Sequence, residues 1–225
     1  MPHKHFDERL ANLERRLLAM SDSVEKQVDD AVSMAIGTGE ATLDLILASD
    51  RMVDAEEVGV EEECIELLAL HQPMASDLRL LVTVLKINSD LERIGDHAVN
   101  IAEAAVRLQQ STEKPPRPVE LDEMSRISRG MLRQALDALV HRNADEAREV
   151  MKRDDRVDRL HESVFRIMLT HMLEGGITAC LQVILISRNL ERIADLATNI
   201  AEDAIFMVRG TTVRHGAGRE STGET

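Results

Sequence analysis

The feature that most constrains this chain is a phrase written twice. Residues 88–108 read NSDLERIGDHAVNIAEAAVRL and residues 187–207 read SRNLERIADLATNIAEDAIFM. From Leu91 to Glu103, ten of thirteen positions match their partners 99 residues later. A second match aligns SDRMVDAEE (49–57) with RDDRVDRLH (153–161) at an offset of 104, pairing Asp50, Val53 and Asp54 with Asp154, Val157 and Asp158. Such self-similarity marks two copies of one supersecondary unit. The change of offset places a five-residue deletion in the second copy, at the turn where HQPMASD faces EGG, because turns tolerate indels.

Within each copy, apolar residues recur at helical spacing in three long stretches. They run over 5–36, 40–71 and 75–110, then 119–142, 145–174 and 177–208, divided by GTG, QP, RNAD and GG. Asn143 with Glu146 three residues on reads as a capping box. KPPRPVE (114–120) holds three of the five prolines and cannot continue a helix. With no Trp or Tyr and only three Phe, the core must be Leu, Ile, Val, Ala and Met, which favours helices over sheet. The expected fold is all-α: a three-helix bundle over 1–113, a Pro-rich linker over 114–118, a second three-helix bundle over 119–209, and a disordered tail over 210–225.

Composition excludes several functions. The net charge is −14 with no basic stripe, which argues against nucleic acid because phosphate neutralisation supplies most of that affinity. The N-terminal MPHKHFDERLANLERR has no apolar core of a signal peptide, and no run approaches 18 apolar residues, so no membrane insertion is expected. Cys64 and Cys180 form no C-x-x-C, and a reducing cytoplasm is the expected location.

On a helical wheel, Val84, Ile87, Leu91, Ile94, Ala98 and Ile101 form one apolar face. Glu92, Asp96 and Asn100 make a stripe beside it, with Glu103 one turn on; Glu191, Asp195, Asn199 and Glu202 repeat that stripe. Acids at i, i+4 most often mark a solvated face, and Arg93 and Arg192 can reach Asp96 and Asp195 at i+3. Against that reading, Glu92 has no basic residue at i±3 or i±4, the spacing recurs in both copies, and the second helix of each copy carries its own pair, Asp50/Asp54 and Asp154/Asp158. Two such pairs on adjacent antiparallel helices would converge four carboxylates, which must take protons or a cation. Oxygen-rich, His-poor shells suit hard ions, with Asn100 and Asn199 adding an amide oxygen or orienting a carboxylate.

Other residues carry less. Asp158 and His161 form D-x-x-H, but no E-x-x-H occurs, which argues against a ferritin-like di-iron enzyme. His97 is expected to be exposed, since its counterpart is Leu196. Met20, Met34, Met52 and Met74 are expected as core filler. No phosphate-binding loop or nucleophile elbow is present, so no enzyme is expected. The alternative function is a metal-free helical scaffold whose acidic stripes bind basic partner surfaces.

QPMASDLRLLVTVLKINSDLERIGDHAVNIAE (72–103) resembles the first repeat of the PhoU family of phosphate-transport accessory proteins, and ISRNLERIADLATNIAED (186–203) resembles its second. The resemblance implies two three-helix bundles related by a pseudo-twofold. It implies multinuclear metal clusters on the E(D)-x-x-x-D motifs, which fall on Glu92/Asp96 and Glu191/Asp195, with Asp50/Asp54 and Asp154/Asp158 as partners; the resemblance does not carry over the metal, which the donors leave open among iron, zinc, manganese and magnesium. It implies a negative regulator of phosphate-starvation signalling that couples the ATPase of the phosphate ABC importer to a membrane sensor histidine kinase. The duplication itself gives two similar faces, so a homodimer is expected. Two departures stand out: Leu196 replaces the first repeat's histidine, and Glu25 and Asp29 of the first helix face Arg129 and Arg133 at the matching positions of the fourth.

Overall fold

The computed structural model describes residues 2–173 and 176–211. Seven helices order them: α1 (Pro2–Ala35), α2 (Leu43–His71), α3 (Ser76–Gln110), α4 (Val119–Val140), α5 (Ala144–Met151), α6 (Asp154–Met172) and α7 (Ile177–Arg209). No strand occurs among the described residues, as the composition predicts. The expected disordered tail lies, beyond Thr211, outside them.

Helices α1, α2 and α3 pack on one another, and α4, α6 and α7 do the same with α5 added. The halves meet chiefly through α3 against α7, and α1 also touches α4. Both central helices bury residues at alternating steps of three and four: Val84, Ile87, Leu91 and Ile94 on α3, Val183, Ile186, Leu190 and Ile193 on α7. Each such fully buried side chain contributes about 1.5–3 kcal/mol relative to exposure. Ala98, Ala102, Ala197 and Ala201 are completely buried, so small residues let neighbouring helices approach closely. One hydrophobic core runs through both repeats.

The second repeat departs from six simple helices. The stretch expected over 145–174 is split at Lys152 and Arg153 into α5 and α6. Two cations near the end of one helix and Asp155 beside Asp154 at the start of the next complement the helix dipoles. Asn143 does cap α5, its Oδ1 accepting from the Asp145 and Glu146 amides, each at 3.2 Å. The split puts Asp154 in the first turn of α6, whereas Asp50 sits about two turns into α2.

The five-residue difference is also not where a turn deletion would put it. Four residues separate α2 from α3, and four separate α6 from α7, Glu174 and Gly175 lying outside the described residues. At the offsets of the repeat, α2 runs three residues longer than α6 and α3 begins two residues earlier than α7. The extra length is helix, which projects the α2–α3 hairpin further. Gln72 takes a left-handed conformation (φ 45°) to end α2 just before Pro73.

Met20 and Met34 are buried, but Met52 and Met74 are 67% and 80% exposed, so two of the four expected core methionines lie on the surface. Both are on or near the outer side of α2, whose apolar residues are not confined to the core face.

Candidate metal centre

In the second repeat, Asp158 of α6 and Glu191 and Asp195 of α7 bring carboxylate oxygens within 4.8 Å of one another. Asp154 stands one turn before Asp158. Burial, then the neighbouring Asp195 and Asp158 charges, push its carboxyl up to about 6. Thr198 lies close enough to moderate that shift, yet Asp154 Oδ1 and Thr198 Oγ1 are both buried without a hydrogen-bond partner. Asp158 and Glu191 are raised too, each by burial first and the Asp195 charge next. Arg192 opposes part of this, its Nη1 donating to Asp195 Oδ2 at 3.1 Å. Asn199 is exposed and lines an open cleft of about 960 Å³ with Asp154 and Asp195.

The first repeat assembles the equivalent groups differently. Burial and the Asp50 and Asp96 charges raise Asp54; burial, with Asp96 the nearest charge effect, raises Glu92. No first-repeat trio among the described residues comes as close as Asp158, Glu191 and Asp195. Asp50 is tethered instead: Gln27 Nε2 of α1 donates to its Oδ1 at 2.9 Å and to the Gly95 carbonyl at 3.3 Å. Gly95 makes room for this, since a Cβ there would lie 3.2 Å from Asp50 Oδ1. Asn100 is exposed on α3.

Glu57 belongs to the first cluster and escapes the repeat criterion, because its counterpart is His161. Its carboxyl is raised by burial, then by Glu61 and Asp54, and it helps raise Glu92. Asp54 at i−3 is the sequence signal that finds it. Glu103, in contrast, takes Arg107 at 2.7 Å as an ordinary i, i+4 surface pair.

The first-helix acids are committed elsewhere. Arg133 Nε donates to Glu25 Oε1 at 2.5 Å, and Arg129 Nη1 to Asp29 Oδ1 at 3.3 Å. The pairing is crosswise: Glu25 takes Arg133, the match of Asp29, and Asp29 takes Arg129, the match of Glu25. His97 is half-buried, not exposed: its Nδ1 lies 2.9 Å from Asn189 Oδ1 of α7, and burial lowers its pKa. Asn189 stands where the first repeat has Asp90, so Arg93 turns back to Asp90 (3.4 Å) while Arg192 turns forward to Asp195.

The model of the PhoU domain matches this chain twice, over residues 17–105 and 121–204. The chain belongs to the PhoU family. It is 40% identical over 223 residues to the phosphate-specific transport system accessory protein PhoU homolog of Pseudomonas putida, covering 98% of this chain and 87% of that relative. It is 32% identical over 217 residues to the Escherichia coli K12 accessory protein PhoU, covering 96% and 90%. The crystal structure of PhoU from Pseudomonas aeruginosa superposes with a TM-score of 0.87 at 39% identity, covering 92% of this chain and all of that one. PhoU from Streptococcus pneumoniae gives 0.81 at 28% identity, covering 93% and 100%. No helix among the described residues is long and apolar enough to cross a membrane.

Proposed function

We propose that this PhoU-family chain represses phosphate uptake and phosphate-starvation signalling by contact. It would act in the cytoplasm as an adaptor between the ATPase of a phosphate ABC importer and a membrane sensor histidine kinase, and would also pair with itself. The observation that carries this reading is similarity over nearly the full length to proteins named as phosphate-specific transport system accessory proteins.

Structural metal clusters are part of the proposal. Asp158, Glu191 and Asp195 form an oxygen-only donor set, and the unpartnered Asp154 Oδ1 beside them is the kind of buried oxygen a cation satisfies. Such donors suit magnesium, manganese or ferric iron, and zinc accepts them as well. Asp50, Asp54, Glu92 and Asp96 would hold the first-repeat cluster. A metal there cancels the repulsion of crowded carboxylates and locks α2 to α3 and α6 to α7.

A deletion strain tests the function. Loss of this chain should switch on phosphate-acquisition genes in phosphate-rich medium, and the purified protein should retain the importer ATPase or the kinase in pull-downs. Unchanged expression with neither partner retained refutes it.

A further inference from the structure

Ser and Thr inside a helix often return their hydroxyl to the carbonyl four residues back. Ser21 and Ser125, at matching positions of α1 and α4, both do so, at 2.9 and 2.8 Å. Thr83 of α3 does not. It is 1% exposed, and its Oγ1 is buried without a hydrogen-bond partner among the described residues. A buried hydroxyl left unpaired costs stability, so it calls for a partner.

Thr83 lines a cavity of about 110 Å³ where the two repeats meet. Leu17 of α1, Leu80 and Ile87 of α3, Leu139 of α4 and Met207 of α7 give it an apolar wall. Glu14 and Arg142 also line it, and they are spent on each other: Arg142 Nη2 donates to Glu14 Oε1 at 2.8 Å. Among the described residues, the side chains of this wall therefore offer paired charges and one free hydroxyl.

That composition selects the occupant. A buried water needs two to four polar partners, and this wall supplies the Thr83 hydroxyl and little besides. An ion would lose its hydration with no free counter-charge in return. A neutral molecule with an apolar body and one hydrogen-bonding end satisfies both the wall and the hydroxyl. An apolar cavity of about 150 Å³ accepts benzene, so the smaller volume here suits about four or five non-hydrogen atoms.

We propose that the inter-repeat cavity beside Thr83 binds a small neutral amphiphile of the short-chain alcohol class. Its oxygen bonds the Thr83 hydroxyl and its carbon chain lies against Leu80, Ile87 and Leu139. The occupant touches helices of both repeats at once, so it stabilises their packing. The site shares no residue with the acidic clusters, and it stands whether or not the chain represses phosphate signalling.

The test titrates n-butanol into the full-length protein and follows its methyl groups by NMR. Saturable shifts should concentrate on Leu80, Val84, Ile87 and Leu139. T83V keeps the shape and removes the hydroxyl, so it should weaken n-butanol binding by roughly three- to tenfold, the worth of one net hydrogen bond. Xenon needs no hydrogen bond, and its binding should be the same in T83V and wild type. T83L fills the cavity and should abolish both. The methyl spectrum reports whether each variant is folded; should either unfold, intermolecular NOEs from n-butanol to the same four residues of wild type decide in its place. Shifts that never saturate and spread over the surface, T83V binding n-butanol as tightly as wild type, or a Thr83–water NOE that persists at saturating n-butanol overturns the proposal.

Discussion

Gln27 holds Asp50 through a 2.9 Å hydrogen bond, and the residue at the matching position of the second repeat is Met131, which has no donor to offer. The two repeats share their acidic pairs but not this support. Asp50 is oriented by protein, whereas Asp154 is left with a bare buried oxygen and a carboxyl raised to about 6. Met131 is fully buried on α4, so Met131→Gln places an amide of similar volume in that interior. NMR titration of the metal-free protein should show Asp154 titrating lower in M131Q than in wild type. An unchanged midpoint would mean that position 131 does not see Asp154.

The raised carboxyls set the pH dependence of the metal-free protein. Folded Asp154 keeps its proton to about pH 6, while the unfolded chain releases it near the ordinary aspartate value of 3.8. The folded state binds more protons between these values, so stability is fully present below the lower value and is lost as pH rises through the upper one. Asp54, Asp158, Glu92 and Glu191 are raised as well and add the same sign. Thermal melts of chelator-treated protein should fall in Tm across this window and level off above it. Asp154→Asn should flatten the fall; a wild-type Tm that rises across the window would contradict the electrostatic account.

Arg129 and Arg133 tie α4 to Asp29 and Glu25 at a partly exposed boundary. Exposed pairs of this kind contribute about 0.2–1 kcal/mol each. Removing both arginines as R129A/R133A should therefore cost little in urea unfolding, and less still in high salt. A loss several times larger would show that the pairs fix the packing of the two repeats.

His97 serves the α3–α7 contact. Its pKa is lowered by burial, so it is neutral near pH 7, and Leu196 occupies the equivalent buried place. Replacing it as H97L trades one hydrogen bond, worth about 0.5–1.5 kcal/mol net, for apolar burial. Stability should shift by no more than that and metal content should not change. A drop in bound metal would make His97 a ligand.

The duplicated phrase and the 3.6-residue periodicity made the helical fold legible, because core burial repeats along each helix. The break at Lys152–Arg153 escaped because Val150, Met151 and Val157 keep an apolar rhythm across it, and only the cation-to-acid change marks it. Carboxylate pairs were legible as spacing. Their inequality was not, because it arises from Gln27 on α1 and from Gly95 and Thr198, two positions at which the repeated phrase differs (Ala194 and Val99 are their counterparts) and whose reach to Asp50 and Asp154 only folding brings about. His97 looked exposed because a wheel places it off the acidic stripe, and the wheel of one helix does not show that α7 covers it.

Metal analysis of untagged protein, purified without chelators, tests the central claim most directly, with wild type compared against D96N and D195N by elemental mass spectrometry. The account predicts bound divalent or ferric ions in wild type, a partial loss in each variant confined to its own repeat, and a Tm that falls when the ions are removed. Wild type free of metal, or both variants retaining the full wild-type content, would contradict it.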